Sequence, residues 1–127
     1  MDYTSKFQQM ADAARARVEA VNPDDVAALL KAGAVALDIR DPDEHANGHI
    51  PASINVSRGK LEMNIEGVLP DLDTVILCYC NANNRGALSA ASLKDMGYGN
   101  AKFIAGGLNA WKALSATDEA GPHGDLG

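Results

Sequence analysis

The segment from Thr74 to Met96 constrains the fold most, because its composition changes abruptly at two points. Residues 75–79 (Val-Ile-Leu-Cys-Tyr) form a short apolar run rich in β-forming residues, which predicts a buried strand. After Arg85 the sequence turns rich in alanine and leucine up to Gly97, which predicts a helix with a glycine stop. Between them a polar loop begins at Cys80. Backbone N–H groups and a helix dipole at this position favour an anion, such as a thiolate.

Strand and helix patterns alternate along the rest of the chain, which predicts an α/β fold with a mostly parallel sheet. Other strands are predicted at 34–39, 54–56 and 101–104, with a candidate edge strand within 18–21. Helices are predicted at 5–19, 23–33 and 108–116, and at 57–65 with Leu61 and Met63 as its apolar residues. One or two helical turns, closed by Gly48, are predicted within 40–48. In such sheets functional groups collect at the C-terminal ends of the strands, where Asp38, Arg40 and Cys80 are expected.

Composition excludes several classes of function. The net charge of −6 argues against a general nucleic-acid binder, because affinity for phosphate backbones depends on Lys and Arg. The sequence contains no long apolar run that would predict a membrane span. The first residues lack the basic and then apolar pattern of a signal peptide, so a cytoplasmic location is expected.

The first predicted helix carries apolar residues at spacings of three and four: Phe7, Met10, Ala14 and Val18. This pattern indicates a helix packed against the domain. A helix that binds a partner or forms a dimer remains an alternative.

The two cysteines, Cys78 and Cys80, are two residues apart on the predicted strand. Their side chains point to the same face but cannot easily form an unstrained disulfide, so both are expected to be reduced. Cys78 is flanked by apolar residues, which favours a small core residue. The alternative is a resolving thiol that attacks a modified Cys80.

Several motifs together resemble those of a single-domain rhodanese. They are Asp38-Ile-Arg40, Glu44, Gly48-His-Ile-Pro-Ala52, Asn55, the loop from Cys80 to Arg85, and Gly106-Gly-Leu-Asn-Ala-Trp111. The resemblance implies a three-layer α/β fold of about five mainly parallel strands with helices on both faces. The resemblance covers roughly residues 18–114. Together with the predicted N-terminal helix and the polar C-terminal stretch, it divides the chain into a helical extension (1–17), a rhodanese-like domain (18–116) and an expected flexible tail (117–127).

Rhodaneses are sulfurtransferases, so the resemblance assigns Cys80 as the residue that carries sulfur as a persulfide. The surrounding anion-binding loop would consist of Asn81, Ala82, Asn83, Asn84, Arg85 and Gly86. Behind it, Asp38 would lie near the loop and Arg40 would pair with Glu44. No cofactor is expected, and no metal either, because Gly48 separates His45 from His49 and the cysteines lie on a buried strand.

Loop length separates sulfur transfer from a second chemistry on the same scaffold. Phosphatases that resemble rhodaneses have five residues between cysteine and arginine, whereas Asn81 to Asn84 make four here. The shorter loop favours a sulfur atom over a phosphoryl group.

Three positions of the loop depart from the rhodanese pattern, because Asn81, Asn83 and Gly86 stand where rhodaneses often carry a basic residue, a glycine, and a serine or threonine. Asn81 replaces a common basic residue, so we expect thiosulfate to be a poorer donor than a persulfide. Asn83 replaces a glycine and is expected to keep a positive φ. The expected partners are small sulfur donors and a thiol or cyanide acceptor, a protein thiol included, with neither nucleic acid nor membrane. The alternative function is a binding or regulatory module with weak catalysis.

Overall fold

A five-stranded sheet forms the centre of residues 3–114, the part of the chain that a computed structural model describes. The strands are β1 (Ala20–Val21), β2 (Val35–Asp38), β3 (Ile54–Asn55), β4 (Ile76–Tyr79) and β5 (Ala101–Ile104). Their order is β1-β5-β4-β2-β3, and every neighbouring pair is parallel. The predicted α/β class and its parallel sheet are therefore confirmed.

Helices cover both faces of the sheet. They are α1 (Ser5–Arg17), α2 (Val26–Lys31), α3 (Pro42–Ala46), α4 (Leu61–Val68), α5 (Asn84–Asp95) and α6 (107–114), with short 3-10 turns at Pro23–Asp25 and Arg58–Lys60. Core residues of α1, α4 and α5 form one cluster, while those of α2 and α6 form a second cluster on the other face. The predicted three-layer arrangement is confirmed.

The side chains of the central strand β4, and of Cys80 directly after it, alternate between these two clusters. Ile76, Cys78 and Cys80 belong to the first cluster, whereas Leu77 and Tyr79 belong to the second. This alternation follows from the pleat of a strand, in which successive side chains point to opposite faces. Cys78 is fully buried, and burial raises the pKa of its thiol. It is therefore the core residue that the apolar run predicts, held in its protonated form.

Two exposed methionines correct the predicted helix faces. Met10 is exposed, and α1 buries Ala11 together with the predicted Ala14. The small side chains of these alanines let the helix approach α5 closely. Met63 is exposed as well, because Leu61 and Ile65 form the inner face of α4.

The ends of several elements differ from their predicted positions. Helix α1 stops at Arg17, two residues before the predicted end, and α4 continues to Val68. The predicted tail at 117–127 lies outside the described residues. Within residues 3–114, no helix has the length and apolar character needed to cross a membrane.

Candidate active site

Cys80 follows β4 directly and lies at the carboxyl edge of the sheet. Its side chain is 3 % exposed, and its Sγ accepts a hydrogen bond of 3.4 Å from the backbone N–H of Gly86. Gly86 belongs to the first turn of α5, whose N–H groups have no partner within the helix. The sulfur therefore lies at a helix N-terminus, a position that stabilises negative charge.

The loop between Cys80 and α5 is held by its own asparagines. Asn83 has φ −122°, so the expected positive φ is wrong. Its side-chain Oδ1 instead accepts a 2.8 Å hydrogen bond from the backbone N–H of Gly106. Asn84, which is nearly buried, exchanges side-chain hydrogen bonds with Gln8 of α1. These asparagines thus fix the loop to its neighbours.

The start of α6 packs directly on the cysteine loop. Leu108 N–H donates to the Cys80 carbonyl at 2.8 Å, and Asn109 N–H donates to the Asn81 carbonyl at 3.1 Å. This approach requires glycine at 107, because a Cβ there would lie 2.3 Å from the Cys80 carbonyl oxygen. The sequence Gly106-Gly107 therefore serves close backbone packing.

Arg40 and Asp38 form a buried ion pair behind the loop. Arg40 Nη2 and Nε donate to the two oxygens of Asp38 at 2.7 and 2.9 Å, and Nη1 donates to Asn81 Oδ1 at 3.1 Å. Burial alone would raise the pKa of Asp38, but hydrogen bonds from Arg40 and His45 outweigh it and lower that pKa. Asp38 is thus a carboxylate that orients Arg40, and Arg40 in turn supports the loop.

Glu44 pairs with Arg85, so the ion pair expected between Arg40 and Glu44 is wrong. Arg85 Nη1 and Nη2 donate to Glu44 Oε1 and Oε2 at 3.1 and 3.3 Å, and Asn81 Nδ2 donates to Oε2 at 3.2 Å. The hydrogen bond from Arg85 is the main reason why the pKa of Glu44 is lowered. Arg40 does not pair with Glu44 because its guanidinium is bonded to Asp38. The charge of Arg85 is therefore compensated by a carboxylate beside it.

A cleft of about 560 Å³ opens above Cys80. It is lined by Tyr3, Phe7, Glu44, Cys80, Asn81, Ala82, Arg85 and Asn109. The structure thus brings together five of the predicted site residues around one cavity. Asn83, Asn84 and Gly86 support the loop from behind, as do Asp38 and Arg40.

Sequence reasoning missed three lining residues. Tyr3 and Phe7 precede the stretch that resembles a rhodanese, and helical spacing places Phe7 on an apolar helix face without indicating the cleft. Asn109 lies within a quoted motif, but its approach to the loop depends on the tertiary position of α6. His45 was also assigned no partner, although its Nδ1 lies 2.9 Å from Asp38 Oδ2.

Among residues 3–114, no group of three or more His, Cys, Asp or Glu side chains is arranged to hold a metal ion. His45 and His49 stack on each other with ring centroids 3.8 Å apart. Each of their Nδ1 atoms is engaged by an oxygen, of Asp38 and of the His45 backbone respectively.

Comparison with models of protein families identifies the family of this chain. The model of the rhodanese-like domain matches residues 22–114. The chain belongs to the rhodanese-like domain family. Thiosulfate sulfurtransferase GlpE of Pseudomonas fluorescens is 32% identical over 100 residues, which make up 79% of this chain and 90% of that protein. The motifs on which the resemblance rested therefore identified the family correctly.

Solved structures agree with this assignment. A Rhodopseudomonas palustris protein, described as of unknown function and a possible tyrosine phosphatase, matches with a TM-score of 0.79 and 32% identity. That match covers 91% of this chain and 95% of the other. Thiosulfate sulfurtransferase from Pseudomonas aeruginosa matches with a TM-score of 0.75 and 28% identity, covering 86% of this chain and 21% of the other. The rhodanese-like fold is common to this chain and its structural neighbours.

The buried Asp38 carboxylate leads to a prediction for stability. Asp38→Asn should lower the free energy of unfolding by about 2 kcal/mol at neutral pH, because hydrogen bonds to the charged Arg40 are weakened. Since the pKa of Asp38 is lowered on folding, its contribution is present above the ordinary carboxyl range and is lost as the pH falls through the folded pKa. Urea unfolding should therefore show that the difference in the free energy of unfolding between variant and parent becomes smaller at acidic pH.

A matched control is Asp95→Asn, which removes the exposed ion pair between Arg17 and Asp95. An exposed pair contributes about 0 to 1 kcal/mol, so this control should change stability little. Equal losses from both variants would contradict the special role of the buried pair.

Proposed function

We propose that this chain is a sulfurtransferase that carries sulfane sulfur as a persulfide on Cys80. The observation that carries the proposal is the position of Cys80, which lines a cleft while its sulfur accepts a hydrogen bond from the N–H of Gly86 at the start of α5. The thiosulfate sulfurtransferase names of its relatives support the same reaction class.

The proposed reaction consists of two displacements. The Cys80 thiolate attacks the outer sulfur of thiosulfate, the sulfur–sulfur bond breaks, and sulfite leaves with the electron pair of that bond. The persulfide remains on Cys80. An acceptor then attacks its terminal sulfur and regenerates the thiolate; cyanide leaves as thiocyanate, and a thiol leaves as a persulfide.

The surrounding residues would hold the thiolate and orient the loop. Gly86 N–H donates to the sulfur. Among residues 3–114, Arg85 is the cationic residue that lines the cleft. Arg40 and Glu44 each bond the Asn81 side chain, so they would fix the first loop residue after the cysteine. Asp38 acts through Arg40 and is proposed as a positioning residue.

The charge of the cleft bears on the choice of donor. Glu44 compensates Arg85, and Asn81 stands where rhodaneses often carry a basic residue. A dianion such as thiosulfate therefore gains less attraction than it would beside two free cations. We propose that a persulfide, of a protein or of a small thiol, is the better donor.

Turnover assays test this proposal. The full chain is supplied with cyanide and with either thiosulfate or glutathione persulfide, and thiocyanate formation is measured against the reaction without protein. We expect turnover with both donors and a higher kcat/KM for the persulfide. Equal or better use of thiosulfate would contradict the donor preference. No turnover with any donor would overturn the sulfurtransferase and favour a binding module, for which the slight exposure of Cys80 provides an argument.

Glu44→Gln should improve the use of thiosulfate. The substitution removes the negative charge beside Arg85 and keeps one amide oxygen, which can accept one of the two hydrogen bonds from Arg85. We expect kcat/KM for thiosulfate to rise about three- to tenfold, since an ion pair near the surface is worth about 1 kcal/mol. Steady-state kinetics at low ionic strength measure the change, and high salt should reduce it.

Asp43→Gln is the control for this effect, because Asp43 lies on the same helix but does not line the cleft. A gain of equal size in the control would show that net charge, and not the cleft, is responsible. A loss of thiosulfate turnover in Glu44→Gln would contradict the electrostatic argument.

The structural neighbour described as a possible tyrosine phosphatase makes a phosphatase assay necessary. The loop of this chain places four residues between Cys80 and Arg85, and the arginine is paired with Glu44. Both features favour a sulfur atom over a phosphoryl group. Hydrolysis of p-nitrophenyl phosphate should remain at the rate of the buffer alone.

A further inference from the structure

The N-terminal helix contributes an aromatic wall to the cleft above Cys80. Tyr3 precedes α1 and Phe7 lies in its first turn, and both line the cleft that contains the cysteine. Their ring centroids are 5.3 Å apart at an interplanar angle of 42°, so the two rings form one continuous surface. Tyr3 remains 48% exposed, which leaves apolar area free for a ligand. We refer to these two residues as the aromatic wall.

The position of this wall is fixed by contacts with the catalytic loop. Gln8 Nε2 donates to Asn84 Oδ1 at 3.4 Å, and Asn84 Nδ2 donates back to Gln8 Oε1 at 3.1 Å. One turn further on, Ala11 is fully buried where α1 packs along α5. Asn84 directly precedes Arg85, so α1 is attached to the same loop that surrounds the sulfur. The aromatic wall is therefore part of the cleft.

The chemistry of the cleft favours an organic ligand over a small inorganic dianion. Its volume of about 560 Å³ lies within the range typical of pockets for organic molecules. Its one lining cation among residues 3–114, Arg85, is paired with Glu44. A donor that carries an apolar group could bury that group on the aromatic wall, whereas thiosulfate could not use this surface.

We propose that Tyr3 and Phe7 form a subsite for the aromatic or apolar group of an organic sulfane donor. The inference rests on the proposed function of Cys80 and names the substrate class for that site. Organic thiosulfonates and persulfides belong to this class. With a thiosulfonate, the Cys80 thiolate attacks the outer sulfur, the sulfur–sulfur bond breaks, and a sulfinate leaves with its electron pair, so that the persulfide forms on Cys80.

Two thiosulfonates of equal charge test the subsite. Benzenethiosulfonate and methanethiosulfonate undergo the same reaction and differ only in the group that the aromatic wall would contact. The full chain is assayed with each donor and cyanide, and the ratio of the two kcat/KM values is corrected for the ratio without protein. We expect the parent to prefer benzenethiosulfonate, and Phe7→Ala to reduce this preference about fivefold or more, as the loss of an aromatic contact implies.

Tyr3→Ala provides a second variant, because its exposed side chain can be removed with little effect on folding. Tyr3→Ala should also reduce the preference for benzenethiosulfonate. Met10→Ala is the matched control, since Met10 is an exposed apolar residue of the same helix that does not line the cleft. Met10→Ala should prefer benzenethiosulfonate to the same extent as the parent.

The possible outcomes separate this inference from the proposed function. Turnover of both donors with no preference for the aromatic one, or with a preference unchanged in Phe7→Ala and Tyr3→Ala, overturns the subsite and leaves the sulfurtransferase intact. An equal loss of preference in Met10→Ala also overturns the subsite, because it shows a general effect of α1. No turnover of thiosulfonates, thiosulfate or persulfide overturns both.

Discussion

Cys80→Ser should lower sulfur transfer from thiosulfate to cyanide by at least about a thousandfold, the scale expected when a covalent nucleophile is removed. Serine keeps the approximate shape of the side chain and can still accept the N–H of Gly86, so the loop should be preserved. A hydroxyl stays protonated near neutral pH and cannot form a persulfide. Thiocyanate formation by the purified variant measures the effect, and circular dichroism checks the fold.

Cys78→Ala is the matched control for this experiment. Cys78 is fully buried in the core and its thiol stays protonated, so its removal should leave sulfur transfer within about twofold of the parent at a modest cost in stability. If Cys78→Ala instead abolished transfer, the resolving-thiol alternative would gain support. If Cys80→Ser kept a substantial fraction of the parent's activity, Cys80 could not be the carrier.

Gly107→Ala should destabilise the protein by about 3 kcal/mol or more, the sum of left-handed backbone strain and overpacking. Gly107 has φ +57°, and a Cβ there would lie 2.3 Å from the Cys80 carbonyl oxygen and 2.5 Å from that of Ala82. Both contacts are with backbone, so the whole cysteine loop or the start of α6 must move. Urea unfolding measures the stability, and turnover of the folded protein should fall as the loop moves.

Gly33→Ala is the control that separates backbone strain from steric overlap with neighbouring atoms. Gly33 has φ +109°, but a Cβ there would meet no heavy atom within 4 Å. This control therefore introduces backbone strain far from the cysteine loop and should leave sulfur transfer close to that of the parent. If both variants lost the same stability and activity, the close approach of α6 would not be the cause.

Much of the fold could be predicted because local pattern and tertiary structure agree. The apolar run ending at Tyr79 is a strand buried on both faces, so its composition alone indicated the centre of a parallel sheet. Cys80 at the end of this strand and the helix after the loop followed from the same segment. Methionines were predicted less well, because Met10 satisfies helical spacing and Met63 is an apolar residue of its helix, yet both side chains are exposed.

The partners of charged residues could not be predicted from spacing. Arg40 and Glu44 are four residues apart, but Arg40 is occupied by Asp38 at the strand end, and Arg85 comes from a distant part of the sequence to pair with Glu44. The aromatic wall escaped prediction for a similar reason. Phe7 lies at the cleft because small residues of α1 let this helix pack along α5.

Intact mass spectrometry shows whether Cys80 carries the transferred sulfur. The reduced protein is incubated with thiosulfate or glutathione persulfide, and the donor is then removed. The intact mass is measured before and after treatment with cyanide, and peptide mapping locates the added mass. We expect a gain of one sulfur atom on the peptide that contains Cys80, removed by cyanide and absent from Cys80→Ser. No gain with either donor, or a sulfur atom located on Cys78, would contradict this expectation.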